Sequence, residues 1–202
     1  VFLRRTADFC DYFKTRLNEY HELVTDNVIY QHRTRNVGVI STELIQDYAL
    51  SGPVLRAAGV AQDVRKDEPY GGYERFDFDV PVGDRGGDCF DRHTVRMEEM
   101  VQSMRIIEQA LACIPDGPIM APKVPKRIRP RAGDYYFAVE SARGHFGIFI
   151  TSDGSDVPVR NKLRTPSFVN VSTMPVVLPG TMLADTVAVL GSIDIVVPEI
   201  DR

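Results

Sequence analysis

Three segments carry apolar residues at every third or fourth position, a spacing that predicts amphipathic helices. They span residues 6–24, 42–50 and 89–113. Ser41 and Asp88 stand directly before the second and third segments, and both residue types favour the N-cap position. The residues predicted to be buried are Phe9, Phe13, Leu17, Tyr20 and Val24 in the first helix and Phe90, Met97, Val101, Met104 and Leu111 in the third. The charged residues predicted to lie off the third helix's stripe are Arg92, Arg96, Glu99 and Arg105.

Alternating apolar and polar residues predict strands later in the chain. The segment YERFDFDVPV predicts a strand at 73–80, and two further runs predict strands at 134–140 and 146–154, separated by the short SARGH. PVRNKLR is a third possible strand beside that hairpin. Two short helices are then predicted in SFVNVSTMPVV and TMLADTVAVLGSI. Helices together with a small antiparallel sheet indicate the α+β class.

A basic, Pro-rich segment at 115–133 is the one plausible boundary in the chain. It divides a helical part with a loop-rich insertion, 1–114, from a sheet with C-terminal helices and tail, 134–202. Its five cations favour a solvated surface loop, while a contact for an acidic partner or for lipid headgroups is the alternative. We expect the two parts to form one composite domain. Because the chain starts on Val rather than Met, we also expect it to be a fragment of a longer protein.

Composition and charge exclude several classes of protein. With 44% hydrophobic and 26% charged residues and a net charge of −4, the chain is typical of a globular protein without attraction to nucleic acid. No run approaches the roughly 18 apolar residues of a membrane span. The three cysteines lie far apart, which argues against a zinc knuckle or an iron–sulfur cluster built from neighbouring thiols and favours a reducing compartment.

Standard catalytic motifs are missing from the sequence: it contains no GxSxG, Walker loop or HExxH. The four histidines are scattered and are expected to be surface or core residues rather than ligands. Arg143 precedes Gly144 at the predicted hairpin corner and could present a fixed cation to another surface, although an ordinary exposed turn is the alternative. Asn170 follows Pro166 by one helical turn, which ordinary helix initiation also explains.

Several long motifs nevertheless form a familiar set. ESARGHFGIFITSDG, RNKLRTPSFVN and LADTVAVLGSIDIVVPEIDR resemble the C-terminal half of the 49-kDa-type subunit of respiratory complex I, the proton-pumping NADH–quinone oxidoreductase. The upstream GPVLRAAGVAQDVRKDEPYGGYERFDFDVPVGDRGGDCFDRHTVRMEEMVQSMRIIEQAL resembles the same subunit, so the resemblance covers nearly the whole chain. It implies the fold of the nickel–iron hydrogenase large subunit, to which this family is related.

The tail acquires a meaning from that relationship. Hydrogenase large subunits end on Asp-Pro-Cys-x-x-Cys-x-x-His, whose two cysteines bind the metals. Asp194 corresponds to the Asp, Val196 and Glu199 stand at the two cysteine positions, and Arg202 stands at the His. Nickel–iron ligation needs thiolates, so the resemblance implies that the metal site is lost and that this chain binds no cofactor of its own.

The resemblance also implies a function. In complex I the vacated space forms part of a quinone cavity between this subunit and the small iron–sulfur subunit, whose four-iron cluster reduces the quinone substrate. Further partners would be the 30-kDa-type subunit and the membrane arm, with the chain peripheral to the cytoplasmic face of the cell membrane. No catalytic residue is assigned, since the family's quinone-contacting His and Tyr lie in its other half. The cavity candidates are Asp194, Val196, Glu199 and Arg202, with Arg143 and Asn170 as possible cavity or interface supports.

Two alternatives from other classes stay open on the sequence. One is a metal-bearing hydrogenase-type large subunit. The other is an assembly module that docks neighbouring subunits and has no cavity residues, in which case the charges of the tail only form salt bridges that hold the chain end.

Overall fold

The computed structural model describes residues 1–84 and 86–201 of the chain. It is mainly helical with one small sheet, which confirms the α+β class, while the likeness to hydrogenases stays a prediction. The helices are α1 Phe2–Tyr20, α2 Val28–Thr34, α3 Thr42–Tyr48, α4 Pro53–Ala57, α5 Val64–Asp67, α6 Cys89–Cys113, α7 Pro166–Val171, α8 Met174–Val177, α9 Asp185–Ile193 and α10 Val197–Ile200. The strands are β1 Gly133–Ser141, β2 Gly144–Ser152 and β3 Arg160–Arg164.

The three strands form an antiparallel sheet in the order β1-β2-β3. Ser141 pairs with Gly144, so the hairpin turn consists of Ala142 and Arg143, and Gly147 pairs with Arg164 on the other side. The predicted hairpin and the possible third strand are therefore confirmed. The segment before the sheet, from 114 to 132, contains no helix or strand and is almost entirely exposed, although the proposed domain boundaries stay a prediction.

Helix α6 lies at the centre of the helical part, where α1, α4 and α9 pack against it. Asp88 caps it as predicted, because its carboxylate accepts a hydrogen bond from the Asp91 N–H at 2.8 Å. The predicted stripe is only partly right: Phe90, Met97 and Met104 are buried, Leu111 is half-buried and Val101 is 44% exposed.

The prediction that Arg92 lies off the buried face of α6 is wrong, since its side chain is 0% exposed. Packing on several sides explains the difference, because a helix covered by three others has more than one buried face. The first helix shows the opposite deviation. Of its predicted stripe only Leu17 is buried, whereas Phe9 and Tyr20 are exposed.

The predicted strand at 73–80 is also wrong. Residues Tyr73–Arg75 form a single 3₁₀ turn, and the following extended segment bonds to side chains of α6. The N–H groups of Asp77 and Asp79 donate to Gln109 and Gln102 at 2.8 and 3.0 Å. An extended backbone alternates its side chains whatever its partners are, so Phe78 is buried and the pattern imitates a strand.

Short helices are the commonest difference between the sequence patterns and the structure. Helices α2, α4, α5 and α10 have four to seven residues and no prediction covers them, because one turn carries too little periodicity to detect. The two predicted C-terminal helices are present, although the first is divided into α7 and α8. One hydrophobic core joins both parts of the chain and contains Ile40, Ile45, Leu50, Val54, Leu55, Cys89, Val177, Val189 and Ile193.

A close backbone crossing fixes the hairpin turn against the start of α4. Gly52 has φ +70°, and a Cβ added there would lie 2.4 Å from both the Arg143 carbonyl oxygen and the Gly144 Cα. The backbone conformation and the missing space therefore both require glycine at this position.

We predict that Gly52→Ala lowers the free energy of unfolding by about 3 kcal/mol or more, because it combines a strained φ with a backbone clash. Gly71→Ala is the matched control, since Gly71 has φ +59° but nothing within 4 Å of the added Cβ. It should cost only about 1–2 kcal/mol. Denaturant unfolding measures both, and equal losses would contradict the role of the crossing.

Candidate functional site

An ion pair joins the hairpin turn to the end of α9. The Arg143 Nε lies 3.4 Å from the Asp194 Oδ2 and donates to the Asp194 carbonyl oxygen at 3.2 Å. Asp194 ends α9 in the left-handed conformation, with φ 57°, and its N–H bonds back to the Gly191 carbonyl. Aspartate tolerates this conformation better than most residues, so the carboxylate has a defined position at the helix end.

Asn170 completes this corner from α7. It is 1% exposed, and its Nδ2 donates to the Arg143 carbonyl oxygen at 3.4 Å. The structure therefore brings together three predicted site residues, namely Arg143, Asn170 and Asp194. Their contacts hold the turn, α7 and the end of α9 in one arrangement.

The rest of the tail binds to a different place, the start of α7. The Ser167 Oγ donates to the Glu199 Oε2 at 2.5 Å and accepts from the Val196 N–H at 3.3 Å. The Thr165 hydroxyl donates to the Glu199 carbonyl oxygen at 2.6 Å. Val196 is half-buried and Glu199 is held here, so neither joins the Asp194 corner, and Arg202 lies outside the described residues.

Two cavities of about 470 and 450 Å³ meet at Asp194. Among the described residues, only Arg96 and Asp194 line both of them. The first cavity (the polar cavity) extends from there to Arg56, Glu99 and Glu140. The second (the His93 cavity) is bounded by α2, α6 and α9 and contains Tyr30, His93 and Ser192.

Arg56 forms the centre of a buried charge cluster beside the polar cavity. It is 2% exposed, its Nε donates to Glu99 at 2.6 Å and its Nη1 donates to Glu140 at 2.9 Å. Asp63 lies 3.9 Å from the same guanidinium and pairs with Arg65 at 2.6 Å. Burial raises the pKa of Glu99 and of Glu140, while Arg56 opposes both shifts.

His93 lines the other cavity and bonds to the helical turn His21–Thr25, which follows α1. Its Nε2 lies 2.9 Å from the Thr25 Oγ1. Burial lowers the pKa of His93 below its ordinary value, and the neighbouring His21 and Arg96 lower it further. The imidazole is therefore held in its neutral form more firmly than a histidine in water.

Sequence patterns missed Arg56, His93, Arg96 and Glu99 as members of the site. The available signal was the spacing of Arg92, Arg96 and Glu99, which places three charges on one side of a helix. That spacing usually marks a solvated face, and here it marks a buried one.

Metal ligands do not cluster in the part of the chain that the structure describes: no group of three His, Cys, Asp or Glu residues could hold an ion there. The buried Cys89 sulfur instead lies 3.2 Å from the Arg92 Nη2. No helix within the described ranges is both long and apolar enough to cross a membrane.

Comparison with known proteins relates the chain to a family. The profile of the family described as respiratory-chain NADH dehydrogenase, 49 Kd subunit, matches residues 1–132 and 123–202. The chain belongs to this 49-kDa subunit family. It is 50% identical over 201 residues to the D-type subunit of NADH-quinone oxidoreductase from Syntrophobacter fumaroxidans, covering 100% of this chain and 54% of that relative.

Other members of the 49-kDa subunit family match equally widely. The corresponding D-type subunit from Desulforamulus reducens is 50% identical over 200 residues, and that from Geobacillus kaustophilus is 48% identical over 201 residues. Each alignment covers 99% of this chain and 54% of the relative. The chain thus spans about half the length of the curated relatives it matches, and the family assigned from the sequence motifs is confirmed.

We predict that Ser167→Ala releases the tail, because it removes both the hydrogen bond to the Glu199 carboxylate and the acceptor of the Val196 N–H. A hydrogen bond to a charged group contributes about 1.5–3 kcal/mol. Hydrogen exchange at the backbone amides of residues 196, 197, 199 and 200 should accelerate accordingly. Ser172→Ala is the control, since the exposed Ser172 hydroxyl donates to the nearby Val169 carbonyl and not to the tail. Unchanged exchange in the Ser167 variant would contradict this anchor.

We predict that His93→Gln reduces the acid sensitivity of the fold. Because the pKa of His93 is lower in the folded than in the unfolded chain, its contribution is complete above about pH 6.5 and is lost as the pH falls below that. The wild type should therefore lose more stability than the variant between about pH 7.5 and about pH 5.5 in urea unfolding. Burial also lowers the pKa of His145, so some dependence persists.

The control for this titration is His32→Gln, because His32 is exposed on α2. This variant should lose as much unfolding free energy between about pH 7.5 and about pH 5.5 as the wild type does. If His93→Gln also loses as much as the wild type, His93 does not contribute to the pH dependence of stability.

Proposed function

We propose that the chain is the C-terminal part of the quinone-site subunit of a complex I-type, proton-pumping NADH–quinone oxidoreductase. The observation that carries this proposal is the position of Asp194, a carboxylate at the junction of two cavities in a chain whose relatives are named as subunits of NADH-quinone oxidoreductase. Those names favour this function over a nickel–iron hydrogenase, and nickel analysis of the purified protein separates the two.

Reduction of a quinone to a quinol consumes two electrons and two protons. In our proposal the electrons come from the four-iron cluster of the neighbouring small subunit, as the resemblance to complex I implies. Asp194 would relay protons from solvent to the ring oxygens, one for each electron delivered, since Asp194 lines both cavities. Val196 lies outside the Asp194 corner, so its place on an apolar wall of the cavity or its access path stays a prediction from the sequence.

The other candidate residues would support that cavity. Arg143 and Asn170 would hold the hairpin turn against Asp194, because Arg143 pairs with the Asp194 carboxylate and Asn170 donates to the Arg143 carbonyl oxygen. The Glu199 carboxylate accepts a hydrogen bond from the Ser167 hydroxyl, which favours a role in anchoring the tail over direct contact with quinone. Arg202 keeps its proposed place beside the cavity as a prediction from the sequence.

A second candidate function is docking without a cavity role, and exposed apolar side chains favour it. Phe168 on α7, Leu183 before α9 and Val187 on α9 are 56%, 89% and 76% exposed. Such surfaces typically mark contacts with other proteins. We propose the small iron–sulfur subunit, the 30-kDa-type subunit and the membrane arm as partners, with the chain peripheral to the cytoplasmic face of the membrane.

Asp194→Asn in the assembled oxidoreductase tests the cavity role. We expect the quinone reductase rate to fall by about tenfold or more, since positioned acid–base groups contribute roughly 10²–10⁴. Electron transfer from NADH to an artificial acceptor should be unchanged. Asp201→Asn is the control, because Asp201 is exposed further along the tail. An unaltered quinone rate and unaltered inhibitor affinity would rule out the role of Asp194 and favour docking alone.

A further inference from the structure

Arg96 has hydrogen-bond donors that nothing in the described part of the chain uses. Its side chain projects from the N-terminal third of α6 and lines both the polar cavity and the His93 cavity. The Nη1 donates to the Arg92 carbonyl oxygen at 3.1 Å. The Nε and Nη2 are buried, and neither has a hydrogen-bond partner among the described residues.

Such a guanidinium is costly unless an acceptor reaches it. Arginine does not lose its charge under physiological conditions, so burial of unpaired donors costs free energy that a partner must offset. The other buried arginines of this region satisfy that requirement. Arg56 binds two carboxylates, and Arg92 donates to the carbonyl oxygens of Gly87 and Gly38 at 2.7 and 2.9 Å.

The nearby carboxylates are already occupied. Glu99 accepts from Arg56 at 2.6 Å, and Asp194 is paired with Arg143. Asp194 and Glu99 still act on Arg96 electrostatically, since both oppose the lowering of its pKa by burial. Arg96 and Arg143 therefore share the Asp194 carboxylate, and the Nε and Nη2 of Arg96 still lack an acceptor among the described residues at the junction of the cavities.

We propose that Arg96 binds an anionic oxygen, of a carboxylate or a phosphate-like oxyanion, through its Nε and Nη2 at the junction of the two cavities. A guanidinium presents parallel donors that match the paired oxygens of such groups. The cavities of about 470 and 450 Å³ that meet at this point provide the space. The oxygen comes either from an acidic side chain elsewhere in the assembled enzyme or from a small anion.

The test compares variants of the full-length subunit in the assembled enzyme. Arg96→Met removes the charge at similar length, Arg96→Lys keeps it, and Arg105→Gln is the control on the same helix. Arg105 pairs with Asp77 and Asp79 on the surface, where ion pairs contribute little. Thermal midpoints are measured with and without inorganic phosphate, and the structure of the assembled enzyme is determined around the guanidinium.

Either source of the oxygen gives a distinct result. If the oxygen belongs to a small anion, phosphate should raise the thermal midpoint of the wild-type enzyme by about 2–4 °C. Phosphate should then leave Arg96→Met unchanged, and the structure should show separate density at Nε and Nη2. If the oxygen belongs to an acidic side chain, phosphate should have no effect on the midpoint. Arg96→Met should then have a lower midpoint than the wild type, and Arg96→Lys should restore it. The structure should show a protein carboxylate within about 3.2 Å of the guanidinium.

The proposal is overturned if Arg96→Met and Arg105→Gln have the same thermal midpoint at every phosphate concentration. It is also overturned if only water or neutral groups contact the Nε and Nη2 of Arg96. These outcomes are separate from the quinone role of Asp194. Arg96 can bind an anionic oxygen whether the Asp194→Asn enzyme is active or inactive. Thermal midpoints test the Arg96 proposal, and the quinone reductase rate tests the role of Asp194.

Discussion

The buried guanidinium of Arg92 is the interaction on which the arrangement of the helical part depends. From the first turns of α6 it donates to the carbonyl oxygens of Gly87 and Gly38 and to the Ser192 hydroxyl at 3.0 Å. Because the charge of arginine is permanent and its side chain is 0% exposed, each of these contacts has to be kept. Two loops and α9 are thereby fixed to one helix, and the end of α9 places Asp194.

Three charged residues of α6 have different roles, two in stabilising the fold and one in the proposed binding site. Arg92, Arg96 and Glu99 all point into the protein, but their partners differ. Arg92 is bound by backbone carbonyls, and Glu99 is bound by Arg56, so both stabilise the fold while their partners stay in place. Arg96 alone of the three has donors without a described partner, which is why we assign it to binding rather than to support.

The tail likewise combines two environments within a few residues. Asp194 faces the cavities beside Arg143, whereas Val196 and Glu199 are held by Ser167 at the start of α7. Candidate residues that form one motif in the sequence thus divide into a cavity group and an anchoring group. The left-handed conformation of Asp194 produces this division, since it turns the chain away from the helix axis.

The sequence by itself determined the elements whose signals are local, and it determined the family. The long helix α6 with its Asp88 cap, the β1–β2 hairpin and the motifs of the 49-kDa subunit family follow from residues close together in the chain. Only the tertiary structure decided that 73–80 is not a strand, that Arg92 is buried and that Arg56 meets Glu140, 84 residues away. Period and propensity describe a backbone and its neighbours, whereas burial of a charge depends on partners that folding brings from distant segments.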